Sequence, residues 1–323
     1  MMSLRVRSIT YEAEGIVSFE LVDPQGRDLP PVEAGAHLDV KVPGTSITRR
    51  YSLCNRPWEH DHYRIAVLDV PGGRGGSRAM HENVRAGQLL EVTGPHNFFP
   101  LAPAAPGRSL LLAGGIGVTP ILAMAEQLAR DGCDWELHYC TQTRERAAFI
   151  QRIAQNLGSD RVHLHHDGGQ PGKGLDIAKL LSLHDGATHV YYCGPTGFMK
   201  AVTDATAHWP REYVHFEYFG ADPAAAPPAG ADRVAGSDGG EVILRSSGRR
   251  VRVEPDQTIL QALTQAGVEV ASSCEAGVCG TCSVRYVSGQ PVHNDYVLSD
   301  EERQSSVLVC CAMVGSEPLI LDL

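Results

Sequence analysis

The chain has 323 residues, 43% hydrophobic and 20% charged, which is ordinary for soluble globular protein and enough for two or three domains with separate cores. Its formal net charge of −10 argues against a nucleic-acid backbone as partner. No N-terminal stretch reads as a secretory signal, and the most apolar window, 109–125, is broken by Gly114, Gly115, Gly117 and Pro120, so neither export nor a membrane span is expected. Nine cysteines in such a chain point to a reducing cytoplasm and to metal ligation rather than disulfides.

From residue 4 to 93 the sequence is built of short alternating segments, such as 36–42, 48–54 and 63–70, separated by Gly and Pro. That habit predicts an antiparallel β-barrel, taken as a domain over 1–103. Inside it, Arg49-Arg50-Tyr51-Ser52 ends one strand, and Gly72-Gly73-Arg74-Gly75-Gly76-Ser77 opens a helix expected over 78–84. Taken singly, such a strand end is unremarked structure. Taken as a pair, the two elements offer a cation, an aromatic face, a hydroxyl and a nest of amides at Gly75, Gly76 and Ser77, which are the needs of flavin mononucleotide.

A Pro/Ala stretch at 102–107 marks a change of rhythm. Apolar runs at 110–113, 135–140, 162–164, 189–193 and 213–216 alternate with helical patterns at 120–130, 146–157, 176–183 and 196–208. Strand and helix in turn predict an α/β doubly wound parallel sheet over 104–220. Its first strand runs into Gly114-Gly115-Ile116-Gly117-Val118-Thr119-Pro120. Glycines let a backbone approach a pyrophosphate, Thr119 supplies a hydroxyl, and proline suits the first turn of a helix whose amides attract phosphate. A lone glycine-rich turn is equally well a tight turn. Position favours the nucleotide site, because a second turn, Cys193-Gly194-Pro195, closes the fourth strand, where open α/β sheets place their ligands. His163, His165, His166 and Asp167 read as the polar end of a strand rather than as metal ligands, and Cys54, Cys133 and Cys140 read as packing residues.

Residues 221–238 are nearly devoid of bulky apolar side chains and rich in Ala, Pro and Gly, as in a semi-flexible linker. The remaining 239–323 form a small acidic domain; from Glu241 onward there are six Arg, no Lys and eleven Asp or Glu, a net −5. A hairpin is expected from 241–245 and 249–254, a helix at 258–266, and a short helix started by the S-x-x-E capping box of Ser299 and Glu302. The sum is an α+β domain of β-grasp type. Within it Cys274, Cys279 and Cys282 stand as C-x4-C-x2-C, with Cys310 later, which is the plant-type spacing for a [2Fe–2S] cluster. Gly277 and Gly280 suit a tight, amide-lined wrapping loop. A zinc knuckle or a disulfide is the alternative, but zinc usually takes two separated C-x2-C pairs and the late cysteines here are the adjacent Cys310 and Cys311.

The ordered set RRYS, GGRGGS, GGIGVTP, CGP and C-x4-C-x2-C with a late cysteine resembles the phthalate dioxygenase reductase family over essentially the whole chain. The resemblance implies an FMN-binding barrel, an NADH-binding domain and a plant-type ferredoxin domain, feeding electrons to a separate oxygenase component of Rieske type. It implies that Arg49 and Ser77 hold the FMN phosphate, that Tyr51 and Ser52 contact the isoalloxazine, and that Phe219 closes the flavin's other face. Gly115, Thr119, Cys193, Gly194 and Pro195 match positions along the nicotinamide cofactor, and ligation falls to Cys310 rather than Cys311. Where the family often has Thr-Arg-Ser, this chain has Thr141-Gln142-Thr143, which removes a partner for a 2′-phosphate and favours NADH, although Arg144 and Arg146 stand close by.

Hydride carries two electrons and an iron–sulfur cluster accepts one, so a flavin between them is the expected relay, with the cofactors doing the chemistry and no side-chain acid, base or nucleophile required. Two rival functions remain: a general diaphorase whose last domain is an interaction module, and a reductase for a haem monooxygenase. An acidic ferredoxin domain suits docking to a basic patch in every case. The likeness suggests a monomer.

Overall fold

The computed structural model describes residues 1–45, 47–72, 75–102, 107–219, 239–255, 257–270, 272, 277, 282–295, 298, 301–315 and 317–323. The chain forms two compact units, Met1–Phe219 and Gly220–Leu323. The expected linker at 221–238 lies outside the described residues, as do Cys274, Cys279 and Gly280.

The first unit opens with the barrel. Strands β1 (Met2–Ala13), β2 (Ile16–Val22), β3 (Ala36–Lys41), β4 (Thr48–Ser52), β5 (Tyr63–Leu68) and β6 (Leu89–Asn97) pair antiparallel in the order β4-β3-β6-β1-β2-β5. A bridge between Leu53 and Ile65 joins the two ends of that order and closes the barrel. Alternation explains its core: Leu4 and Val6 of β1 are buried while Arg5 and Arg7 face out, and Phe19, Leu38, Val40 and Ile65 fill the same interior. Helix α1 (Gly76–Asn83) caps it through Ala79 and Met80.

The same unit continues into a parallel sheet, β7 (Ser109–Gly114), β8 (Trp135–Thr141), β9 (Val162–His166), β10 (His189–Cys193) and β11 (Val214–Glu217), in the order β11-β10-β7-β8-β9. Its helices are α2 (Val118–Arg130), α3 (Ile150–Asn156), α4 (Ile177–Leu180) and α5 (Thr196–Ala205). Residues on β7 divide cleanly: Leu111 and Ala113 pack with α2, Leu110 and Leu112 with α4 and α5. Such burial on both faces is why these strands read as continuous apolar runs. Barrel and sheet are tied by a buried ion pair: Glu126 of α2, 3% exposed, binds Arg152 of α3, whose Nη1 donates to the Cys54 carbonyl at 2.6 Å.

Two helices depart from the sequence expectation. The one expected at 146–157 begins only at Ile150, because Phe149 takes φ +61° and 147–149 send their side chains into the core, with the Ala148 N–H donating to the Tyr139 hydroxyl. The one expected at 176–183 is the single turn α4, started by the Asp176 carboxylate accepting from the Lys179 N–H.

In the second unit, β12 (Gly240–Leu244), β13 (Arg250–Val253), β14 (Ser283–Ser288), β16 (Ser306–Leu308) and β18 (Leu319–Leu321) form a sheet ordered β13-β12-β18-β14-β16, and β15 (Pro291–Val292) pairs with β17 (Met313–Val314). Helix α6 (Ile259–Gln265) lays Ile259, Leu260 and Leu263 on that sheet, which is the β-grasp arrangement. Its capping box is Thr258 with Gln261. The short helix expected after Ser299 is a 3-10 turn at Glu302–Gln304; Ser299 itself lies outside the described residues.

Candidate functional site

Strand β4 sends Arg49 to the start of α1, where a Cβ on Gly76 would lie 3.0 Å from the Arg49 Nε. Only a bare α-carbon admits the guanidinium that close. Gly75, at φ +82°, turns the chain into the helix, so α1 opens with its amides beside that cation. The Ser77 hydroxyl accepts from the Val70 N–H at 3.2 Å. Tyr51 presents a buried hydroxyl with no hydrogen-bond partner among the described residues, and burial pushes its phenol up to about 12 against the pull of the Arg49 charge. Arg50 takes other surroundings, 3.6 Å from Asp39 and over the Phe98 ring at 5.2 Å.

Ser52 reaches across to the parallel sheet: its hydroxyl donates to Glu217 Oε2 at 2.9 Å, at the end of β11. Phe219, two residues further, is 40% exposed. Glu217 also faces Cys193, its register partner on β10. Burial first, then the Glu217 carboxylate, pushes the Cys193 thiol well above its ordinary range, so this sulfur stays protonated. Glu217 is a residue that sequence reasoning missed; its place two positions before Phe219 was the one available signal.

The two expected nucleotide turns meet closely. A Cβ on Gly117 would lie 2.2 Å from the Cys193 carbonyl oxygen, one on Gly114 2.8 Å from Pro195 Cδ, and one on Gly194 3.0 Å from the Gly114 α-carbon. Gly115, at φ +52°, has open space where its side chain would stand. Thr119, expected to present its hydroxyl to a ligand, is 2% exposed and donates to the Ile116 carbonyl at 3.0 Å, so it fixes the turn instead. Beyond β8, the Arg146 Nη1 donates to Gln142 Oε1 at 2.5 Å and its Nε lies 3.7 Å from Glu14.

In the second unit Cys282 and Cys310 are both buried, at 2% and 5% exposure, and flank the pair of Ser283 with Leu308 at one end of β14 and β16. Gly277 adopts φ +73°, and a Cβ there would lie 2.7 Å from the Cys311 sulfur and 3.0 Å from the Asp295 α-carbon. Cys311 thus packs against Gly277, its thiol directed to the Leu308 carbonyl at 3.5 Å. No helix among the described residues is long and apolar enough to cross a membrane.

These residues fit the groups the fold implies. The Tyr51 hydroxyl, without a hydrogen-bond partner among the described residues, and the Arg49 cation beside the α1 amides suit a flavin with one phosphate, the bare turn at Gly115 suits a nucleotide backbone, and two buried cysteines at one strand end suit an iron–sulfur centre. A flavin- and iron–sulfur-dependent oxidoreductase is the class so defined. Residues 111–204 match the oxidoreductase NAD-binding domain, and 242–315 the 2Fe-2S iron-sulfur cluster binding domain. The chain is 45% identical to the tert-butanol monooxygenase / tert-amyl alcohol desaturase reductase subunit of Aquincola tertiaricarbonis, over all of this chain and 96% of that one. It is 44% identical to the vanillate O-demethylase oxidoreductase of a Pseudomonas species (strain HR199), over the whole of both. Among solved structures, phthalate dioxygenase reductase superposes with a TM-score of 0.73 at 40% identity, over 100% of this chain and 98% of that one. An intact type IV self-sufficient cytochrome P450 monooxygenase gives 0.82 at 36% identity, this chain spanning 41% of its length.

The chain belongs to the phthalate dioxygenase reductase family. It is an NADH-dependent reductase component that carries electrons from the pyridine nucleotide through FMN and a [2Fe–2S] cluster to an oxygenase.

Proposed function

We propose that the electron acceptor is a Rieske-type aromatic oxygenase or demethylase, and that the chain serves it as a cytoplasmic monomer. The observation that carries this reading is the full-length likeness to reductases named for phthalate dioxygenase and vanillate O-demethylase, with every site motif present. A second reading, a haem monooxygenase as acceptor, draws on the likeness to the self-sufficient cytochrome P450.

The working parts divide as 1–103 for FMN, 104–220 for NADH, 221–238 as tether and 239–323 for the cluster. FMN, when bound, takes up the two electrons of a hydride and releases them one at a time to the cluster. Arg49, the first amides of α1 and Ser77 neutralise the flavin phosphate, while Arg50 supports β4 from its other side. Tyr51 and Ser52 would orient the ring, and Phe219 would close its other face. Glu217 fixes the Ser52 hydroxyl, and burial, aided by the Glu217 charge, keeps the Cys193 thiol neutral, which leaves no competing thiolate beside the hydride path. Gly114, Gly115 and Gly117, in a turn that Thr119 fixes from behind, shape one wall of the nicotinamide channel, and Cys193, Gly194 and Pro195 the other. Cys274, Cys279, Cys282 and Cys310 ligate the cluster, consistent with Cys311 being engaged by packing on Gly277.

A fragment ending near residue 226 tests the order of transfer. It should retain flavin and reduce a two-electron dye with NADH, yet fail to reduce an oxygenase, and adding 239–323 in trans should restore little because the tether's effective concentration is lost. Oxygenase reduction by the fragment at the full-length rate would make the last domain a docking module. Offering the full-length protein a purified Rieske oxygenase and a haem monooxygenase in parallel decides between the two acceptors.

A further inference from the structure

Five titratable side chains with no part in the electron path share one face of the parallel sheet. β8 and β9 run side by side with His138 opposite His163 and Cys140 opposite His165. Side chains alternate across a strand, so Glu136, His138, Cys140, His163 and His165 share that face. It is the face on which Leu110 and Leu112 of β7 stand beside Glu136 and His138. The apolar cover built there by α4 and α5 draws on β7 and β10.

Glu136 Oε1 lies 3.3 Å from His138 Nε2 and 2.6 Å from His163 Nε2, and one ligand atom from each of the three residues falls within 4.8 Å of the others. His138 is 7% exposed, and its Nε2 is buried with no hydrogen-bond partner among the described residues. Its other nitrogen, Nδ1, stands 3.0 Å from His165 Nε2. One of those two nitrogens must carry the proton between them. With it on His138 Nδ1, the lone pair of Nε2 is turned toward Glu136 and His163, the arrangement in which an outer acceptor fixes the tautomer of a metal-bound histidine. Arg108 pairs with Glu136 Oε2, which leaves Oε1 directed at both rings.

We propose that Glu136, His138 and His163 bind a divalent metal ion of the zinc class, with water completing a tetrahedral set and His165 orienting His138 from outside. Two imidazoles and a carboxylate with an open fourth position are a donor set zinc favours. Edges of about 3.3 Å follow from zinc–ligand bonds of about 2.0–2.1 Å, close to the His138–Glu136 separation. The His138 and His163 rings are stacked, 4.8 Å between centroids and 25° apart, so the His163 ring must swing for both Nε2 atoms to converge. Its side chain is 40% exposed and has the room to do so. The ion would clamp the edge strand β9 to β8, across a stretch of chain separated by α3. It lies apart from the strand ends where the nucleotide turns meet.

The test uses the full-length holoprotein after mild chelation, titrated with zinc by calorimetry and with cobalt(II) by absorption, beside His163→Ala and His165→Ala. Loss of the half-buried His163 side chain removes a ligand without opening the core, so that variant folds. One zinc per chain is expected, with affinity falling about hundredfold in His163→Ala and about tenfold in His165→Ala. Cobalt should give ligand-field bands without thiolate-to-cobalt charge transfer, and zinc should raise the melting temperature of the unsubstituted protein but not of His163→Ala. Absence of saturable zinc uptake, uptake unchanged in His163→Ala, or thiolate charge-transfer bands would each overturn the proposal.

Discussion

Replacing Gly117 by alanine should uncouple NADH from the flavin while leaving both ends of the relay intact. The new Cβ would lie 2.2 Å from the Cys193 carbonyl oxygen, 2.4 Å from its carbon and 2.7 Å from the Gly194 nitrogen. All three are backbone atoms, so no side chain can rotate out of the way. Reaching an ordinary carbon–oxygen contact of about 3.4 Å requires the two turns to separate by about 1 Å. Overpacking of this kind costs about 1–3 kcal/mol of stability, which a unit of this size tolerates. A 1 Å misplacement of a positioned reactant costs about hundredfold in rate, roughly 2.7 kcal/mol of barrier. Anaerobic stopped-flow mixing with NADH, followed by flavin bleaching, should therefore slow about hundredfold, with flavin content and the cluster EPR signal unchanged. Gly114→Ala meets the Pro195 ring at 2.8 Å and the Phe198 ring at 3.1 Å, a milder overlap than that at Gly117, so its effect should be smaller. Gly197→Ala, whose Cβ would meet nothing within 4 Å, should be neutral. A hydride rate in Gly117→Ala equal to that of Gly197→Ala would refute the idea that the approach of the two turns sets the geometry of transfer.

Cys310→Ser should abolish or badly destabilise the cluster while Cys311→Ser leaves it largely intact, read by visible absorption and low-temperature EPR of the reduced proteins; the reverse pattern would reassign the ligand. Specificity constants should favour NADH over NADPH by at least about tenfold, or 1.4 kcal/mol, because Gln142 replaces a cation and Arg146 is already held by Gln142 and Glu14; equal constants would contradict this. His37 is fully buried with neither ring nitrogen hydrogen-bonded among the described residues, and burial, then the Arg50 and His96 charges, pushes its imidazole down to about 3. The unfolded chain, with an ordinary imidazole near 6.5, takes up a proton first as pH falls, so this stability is complete above about 6.5 and is lost progressively toward about 3. Melting temperature should accordingly drop less on acidification in His37→Phe than in the unsubstituted protein, and parallel pH profiles would show that His37 is not the group responsible.

What the sequence determined by itself is what contiguous residues can enforce. The C-x4-C-x2-C run is legible as spacing, and the hairpin around Gly248 and the helix after Thr258 each act over a few residues through conformations those residue types favour, although the capping box found among the described residues is Thr258 with Gln261 and not the expected Ser299 with Glu302. Alternation along β1 and apolar runs along β7 and β10 likewise report burial on one face or two, and so distinguish barrel from doubly wound sheet without any knowledge of partners. Tertiary structure alone decided the rest. Ser52 and Glu217 are 165 positions apart, and only the packing of barrel on sheet makes them a pair. The glycine of GGIG that matters most, Gly117, is singled out by a carbonyl from another strand rather than by its own turn. Phe149 abandons helical geometry because the core gains its ring, a tertiary reward that local propensity does not register. His163 and His165 read as a polar strand end because their partners, Glu136 and His138, lie a helix away in sequence. Parallel pairing of β8 with β9 supplies the register that joins them.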